Sequence, residues 1–229
     1  MFLENTMKVN YFTKIGCVTL LALSTSGCII HVGGHDEDNH HNGSISHVMG
    51  DIDVDAGSQM EDVSTVNGDI SLNNGVSAET VDTVNGDIAL GRDISIFSAS
   101  SVNGDISAGT QLTVRDDIST VNGDIDLKAR STVGGDISTV NGDISLEDVK
   151  VSGGLETKNG DISLLKGSAV SGDIIYQSID KSRWSNHDLP TLRIDAQSTI
   201  LGKIILNRKV ILEIDNADIL SQVERNYGQ

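Results

Sequence analysis

Thr65-Val66-Asn67-Gly68-Asp69-Ile70-Ser71-Leu72 decides the fold of this chain, because it returns along the sequence with small changes. Gly50, Gly68, Gly86, Gly104, Gly123, Gly142 and Gly160 each open a Gly-Asp-Ile or equivalent tripeptide, at intervals of 18, 18, 18, 19, 19 and 18 residues. Asn precedes six of these glycines, as Asn67, Asn85, Asn103, Asn122, Asn141 and Asn159, and five of the six follow Thr-Val or Ser-Val. Self-similarity at a fixed short period marks a repeat architecture and is read before any local propensity.

Counted from the glycine, the third position is Ile52, Ile70, Ile88, Ile106, Ile125, Ile144 and Ile162, and the fifth is Val54, Leu72, Leu90, Ala108, Leu127, Leu146 and Leu164. Val76 with Ala78, Ile94 with Ile96, and Leu112 with Val114 add two further apolar positions per unit. The alternation around the glycine has period 2, the period of a strand. It assigns Val66, Gly68, Ile70 and Leu72 to the inner face and Thr65, Asn67, Asp69 and Ser71 to the outer one. The abundance of Val, Ile, Thr and Ser agrees with strands separated by turn residues.

Helical repeats fail on the same residues, because Asn, Gly, Asp and β-branched side chains fill each unit. Eighteen residues are also too few for a helix pair, which needs about 33. The unit therefore predicts one coil of an all-β, single-stranded β-solenoid (β-helix) of about 18 residues per coil, whose perimeter is at most about 60 Å. No coil buries its apolar side alone, so stability comes from stacking.

The pattern fades after residue 165. Gly172-Asp173-Ile174 echoes it only 12 residues after Gly160, and residues 178–190 (SIDKSRWSNHDLP) break it. Strand-like runs resume between 191 and 215 and predict final coils or a cap, with Lys203, Arg208 and Lys209 guarding the exposed edge and 221–229 frayed. The expected organisation is a signal segment over 1–27, a tether over 28–47, the repeat solenoid over 48–177, an irregular loop over 178–190 and the end of the stack over 191–229.

Upstream of the repeats, Lys8 and Lys14 precede the apolar run Ile15–Leu23, which is too short to span a bilayer. Glu4 is out of place in a basic region, so Met7 is read as the true start. The small residues Ser24, Thr25, Ser26 and Gly27 lead to Cys28. The segment 29–47 is polar, has no period and predicts a flexible spacer.

The composition bounds the partners. Sixteen Lys and Arg against 33 Asp and Glu give a net charge of −17, which excludes the clustered cations that a nucleic acid requires. Two cysteines make no disulfide framework, and 3% aromatic residues argue against an aromatic-lined pocket.

The candidate sites are few. Stacking aligns Asp51, Asp69, Asp87, Asp105, Asp124, Asp143 and Asp161 in a column about 4.8 Å apart, where repulsion must be relieved by solvent, hydrogen-bond donors or weakly bound cations. Calcium suits such oxygens. His31, His35, His40, His41 and His47, with Asp36, Glu37 and Asp38 among them, are candidate weak ligands for zinc, nickel or copper. Arg183, Trp184 and His187 form a candidate recognition patch for sugar or protein. Ser185, His187 and Asp188 are too close in sequence for a nucleophile triad.

Two resemblances complete the reading. The run ending in Gly27-Cys28 resembles the lipobox of bacterial lipoproteins, with Thr25 where leucine is usual, and implies a lipidated Cys28. Without Asp at Ile29, the resemblance implies the outer membrane in a Gram-negative cell. The stacked Val-Asn-Gly-Asp-Ile units of residues 48–177 resemble a family of bacterial surface lipoproteins grouped as adhesins. That resemblance implies a β-solenoid and a non-enzymatic, membrane-tethered envelope protein with a protein or glycan partner. The alternatives are a self-assembling envelope subunit and, less well supported, a polysaccharide-active β-helix enzyme, for which the regular coils lack clustered catalytic residues.

Overall fold

The computed structural model describes residues 43–179 and 189–227. Cys28, His31, His35, His40 and His41 lie outside the described residues, as do Arg183, Trp184 and His187. The described chain is a parallel β-solenoid whose successive coils pair about 18 residues apart. Among the described residues no helix is long and apolar enough to cross a membrane.

Two sheets run along the stack. The nine-stranded sheet takes one short strand from each coil, beginning with Ile52–Val54, Ile70–Leu72, Ile88–Leu90 and Ile106–Ala108 and ending with Ile211–Ile214. Its register places Ile70 beside Ile88 and Leu72 beside Leu90, so like side chains stack on like. The fifteen-stranded sheet changes character along its length. Its early coils cross it in one strand each, as in Ser77–Asn85 and Ser95–Asn103. From Thr113 each coil crosses in two short strands, such as Thr113–Val114 with Ile118–Asn122 and Val149–Val151 with Leu155–Thr157.

The core is a bundle of aliphatic columns. The Ile column of the repeat is 0–3% exposed from Ile52 to Ile162 and continues through Leu192. The Val54–Leu164 column lies beside it and continues through Ile194. Val76, Ala78, Ile94, Ile96, Leu112 and Val114 are buried as the repeat predicts. Each column contributes because every buried aliphatic side chain is worth about 1.5–3 kcal/mol, and only stacking removes both its sides from water.

Several features differ from the sequence reading. Thr65, Thr83, Ser101, Thr120, Thr139 and Thr157 are the buried residues, while Val66, Val84, Val102, Val121 and Val140 are only half-buried on the outside. The corner explains the reversal. Thr65 and Ile70 both point inward five positions apart, so the turn at Asn67-Gly68-Asp69 resets the alternation instead of carrying one phase through. The first coil also opens earlier than expected: the strand Ile45–Met49 contains His47, which pairs in register with Thr65.

Gly172-Asp173-Ile174 is not a shortened repeat. Ile174 pairs with Leu155 and Ile204 in the fifteen-stranded sheet, so the tripeptide stands at a second corner of the coil. The segment after 191 forms further coils, with Thr191–Ile194 pairing on Ile162–Leu165. A 3-10 turn at Ala217–Gln222 buries Ile219, and Val223–Arg225 then pairs with Ile204–Leu206. The expected fraying of 221–229 therefore fails for 223–225, because Val223 continues the Ile174–Ile204 column.

Candidate functional site

The repeated Asn-Gly-Asp corner concentrates the polar chemistry of the described residues. Its glycine is demanded by backbone proximity. A Cβ on Gly86, Gly104 or Gly142 would lie 1.9 Å from the carbonyl oxygen of the corner glycine one coil earlier. Only a residue without a side chain lets successive coils approach that closely.

Three hydrogen-bond ladders run along the corner. In the asparagine ladder, the Nδ2 of Asn85 donates to Asn67 Oδ1 at 2.9 Å, and Asn103, Asn122, Asn141 and Asn159 each repeat the contact at 2.8 Å. In the aspartate ladder, Asp51 Oδ1 accepts from the Asp69 amide at 2.9 Å. Asp69, Asp87, Asp105 and Asp124 accept from the next aspartate's amide at 2.8 Å, and Asp143 accepts from Asp161 at 2.7 Å. Asp161 ends the ladder by accepting from the Thr191 amide at 2.7 Å. In the third ladder, the buried hydroxyls of Thr65, Thr83, Ser101, Thr120 and Thr139 donate to the corner glycine carbonyl of the preceding coil at 3.0–3.2 Å.

The aspartate column is thus relieved by backbone donors. Each of these carboxylates uses Oδ1 in the contact, so Oδ2 remains as the oxygen that a cation could reach. Among the described residues no group of three or more His, Cys, Asp or Glu is arranged to hold a metal ion. His47 is the one histidine within those residues and neither cysteine falls among them.

A second aspartate ladder occupies the other corner of the later coils and was missed in the sequence. Asp117 accepts from the Asp136 amide at 2.7 Å, Asp136 from the Gly154 amide at 2.8 Å, and Asp173 from the Lys203 amide at 2.8 Å. The signal was present in Asp117-Ile118, Gly135-Asp136-Ile137 and Gly172-Asp173-Ile174, which repeat the corner chemistry half a coil out of phase with the main motif.

The asparagine ladder ends on Arg208. Residues 178–190 are inserted where the next corner would stand, between Gln177 and Thr191. Arg208, one coil further on, reaches back so that Nη1 donates to Asn159 Oδ1 at 2.8 Å and to the Lys158 carbonyl at 2.7 Å. It is 6% exposed and its Nε has no hydrogen-bond partner. Desolvation by burial lowers the guanidinium's proton affinity. Arg208 is therefore a buried terminus and not the solvent-facing edge guard expected from the sequence. Lys203 keeps a surface role through its contact with Glu224 at 2.6 Å.

Beside this end, Tyr176 takes the place of the inward Thr. It is fully buried and donates to the Thr191 carbonyl at 3.0 Å. Burial first, then the charge of Asp161, raises its hydroxyl far above the ordinary tyrosine range. Elsewhere, Arg115 spans two coils to hold both carboxylate oxygens of Glu79 at 2.8 Å, with its guanidinium 5.4 Å from the Phe97 ring centroid. Asp195 closes the turn that it opens. Desolvation raises its carboxyl, but hydrogen bonds from Ser198, Lys166 and Gln197 outweigh that and hold it below the usual carboxylate range.

Comparison of the chain with protein-family models, with curated proteins and with solved structures finds no match.

Proposed function

We propose that this chain is a non-enzymatic, lipid-anchored protein of the bacterial cell envelope, an adhesin-like β-solenoid scaffold that presents flat faces to a glycan or protein partner. One observation carries the reading. The polar side chains that recur in the repeat are spent on holding coil to coil: amide to amide, carboxylate to backbone N–H, hydroxyl to carbonyl. A chain that uses its repeated Asn, Asp and Thr in this way invests in a rigid shaft, and its faces are free to serve as contact surfaces.

The anchor supplies the address in this reading. Labelled palmitate enters the protein and is lost in Cys28→Ser; label retained in that variant removes the anchor, and with it the outer-membrane assignment. Glycan-array binding and recovery of a partner from intact envelopes test the contact role. Weak calcium binding belongs to the same reading, through the Oδ2 atoms of the aspartate column. Melting curves that coincide in calcium and in chelator leave the column purely structural.

Self-assembly is the second reading. It is favoured by the first strand, Ile45–Met49, which pairs on one side only among the described residues and leaves Met49 80% exposed. An open strand edge is a template for another chain. Sedimentation that grows with protein concentration supports it.

A further inference from the structure

The asparagine ladder repeats one dipeptide, yet the hydrogen bonding of that dipeptide is not uniform. In Asn-Gly the glycine nitrogen can attack the preceding side-chain amide, because no Cβ blocks the approach. In a folded chain the attack is suppressed when an acceptor in the next coil holds the glycine N–H in place. Gly68, Gly86, Gly104, Gly123 and Gly142 all donate to the next coil's asparagine carbonyl at 3.0–3.1 Å. Gly75, after Asn74, donates to the Arg92 carbonyl at 2.9 Å. Gly160 alone among these glycines donates to no backbone carbonyl of the described residues, because the insertion at 178–190 takes the place of the next corner.

A second observation falls on the same dipeptide. The ladder oxygens of Asn67, Asn85, Asn103, Asn122 and Asn141 accept from a neutral amide, whereas Asn159 Oδ1 accepts from the Arg208 guanidinium at 2.8 Å. A cation at that oxygen draws electron density from the side-chain carbonyl carbon and stabilises the oxyanion that forms on attack. Arg208 is buried and makes no ion pair with an acid of the described residues. Asn159 itself is exposed to water.

We propose that Asn159-Gly160 is a self-modification site at which the chain deamidates. The Gly160 nitrogen forms a bond to Asn159 Cγ and gives its proton to solvent. The Cγ–Nδ2 bond breaks, and the amide nitrogen takes up protons from water and leaves as ammonia. Water then opens the cyclic imide at either carbonyl, so the net change is asparagine plus water to aspartate or isoaspartate plus ammonia. The product carboxylate faces Arg208 and supplies the counter-ion that a buried guanidinium favours. The ladder's end changes from a neutral contact to an ion pair.

The test is ageing of the folded full chain at mildly alkaline pH, followed by peptide mapping for the deamidation mass gain. Asn159 is expected to convert about tenfold faster than Asn67, Asn85, Asn103, Asn122 or Asn141, equivalent to about 1.4 kcal/mol of barrier. In denaturant the preference disappears. A preference that persists in the unfolded chain would assign it to local sequence, and conversion of Asn159 no faster than the others in the folded chain would exclude the site; either result overturns the proposal. Arg208→Met, checked for folding by circular dichroism, slows conversion at Asn159. Faster conversion in a folded Arg208→Met protein would make Arg208 a protecting residue and also overturn it.

Discussion

Up to Asn103 each coil crosses the fifteen-stranded sheet in a straight line, whereas from Thr113 it bends midway. The cause is a single residue. Ile96 pairs with Val114 and Ala99 with Ile118, so two residues separate the inward pair in the straight coil and three separate it in the bent one. That extra residue is the origin of the first 19-residue interval, and it creates the corner where Asp117 and Asp136 begin their own ladder. The interval later returns to 18, although the bend remains. There the gap from Leu127 to Ser131 becomes the shorter one from Leu146 to Val149, across the other turn. The two regions teach that the perimeter of a coil can be redistributed among its sides while the Asn-Gly-Asp corner stays in register.

The largest expected effect falls on the corner that both regions share. Gly104→Ala places a methyl against the Gly86 carbonyl and forces the coils apart, a loss of at least about 3 kcal/mol. At Gly50 the same Cβ meets nothing within 4 Å, and only its φ of +113° resists the change, so Gly50→Ala costs about 1 kcal/mol. Denaturant midpoints of the two variants check the contrast. Equal losses would mean that stacking distance does not select the glycine.

A smaller effect separates the regions at the turn opposite. The early coils place Gly57 and Gly75 at positive φ, whereas later coils place Asp93, Gln111, Arg130, Asp148 and Lys166 there, at φ of 54–67°. Left-handed backbone costs a residue with a side chain about 1 kcal/mol. Gln111→Gly is therefore expected to hold stability or raise it by up to about 1 kcal/mol, and Gly75→Ala to lower it by a similar amount. Thermal melting of both variants tests whether the later turns carry strain that the early ones avoid.

The smallest effect depends on pH. Asp82 lies in an outward row of the straight coils, in register with Ser64 and Ser100. Burial raises its carboxyl above the ordinary range, by more than the hydrogen bonds from Ser100 and Thr80 lower it, and the Asp62 charge adds to the rise. A raised carboxyl binds its proton more tightly in the folded chain, so it costs stability as the pH climbs through the unfolded value of about 3.9, and the full cost is present above the folded value. Asp82→Asn removes that cost. It raises stability near neutral pH by at most about 0.5 kcal/mol, the usual limit for a surface change, and the gain vanishes in acid. A gain that persists at low pH would point to packing instead of charge.

The coil length, the Ile and Leu columns and the stacked aspartates were legible in the sequence because each depends on one residue recurring at one spacing. Three features were not. The inward threonines were hidden because a corner changes the strand phase, and period 2 carries no record of where corners fall. The second aspartate ladder was hidden because its tripeptides sit half a coil away from the dominant motif, so Gly172-Asp173-Ile174 looked like a failing repeat. Arg208 was hidden because its partner Asn159 lies 49 positions earlier, across an interruption that breaks any periodic count. The partner and the address expected from Cys28 depend on groups that the coil-to-coil contacts do not involve.

The reach of Arg208 across the interrupted corner has a practical consequence. A guanidinium long enough to bridge a missing rung lets the shaft eject a stretch of chain sideways and resume winding with its columns aligned. The 178–190 position is thus a natural splice point, where foreign sequence of similar or greater length can be displayed on a stiff, repetitive carrier without disturbing the coils on either side.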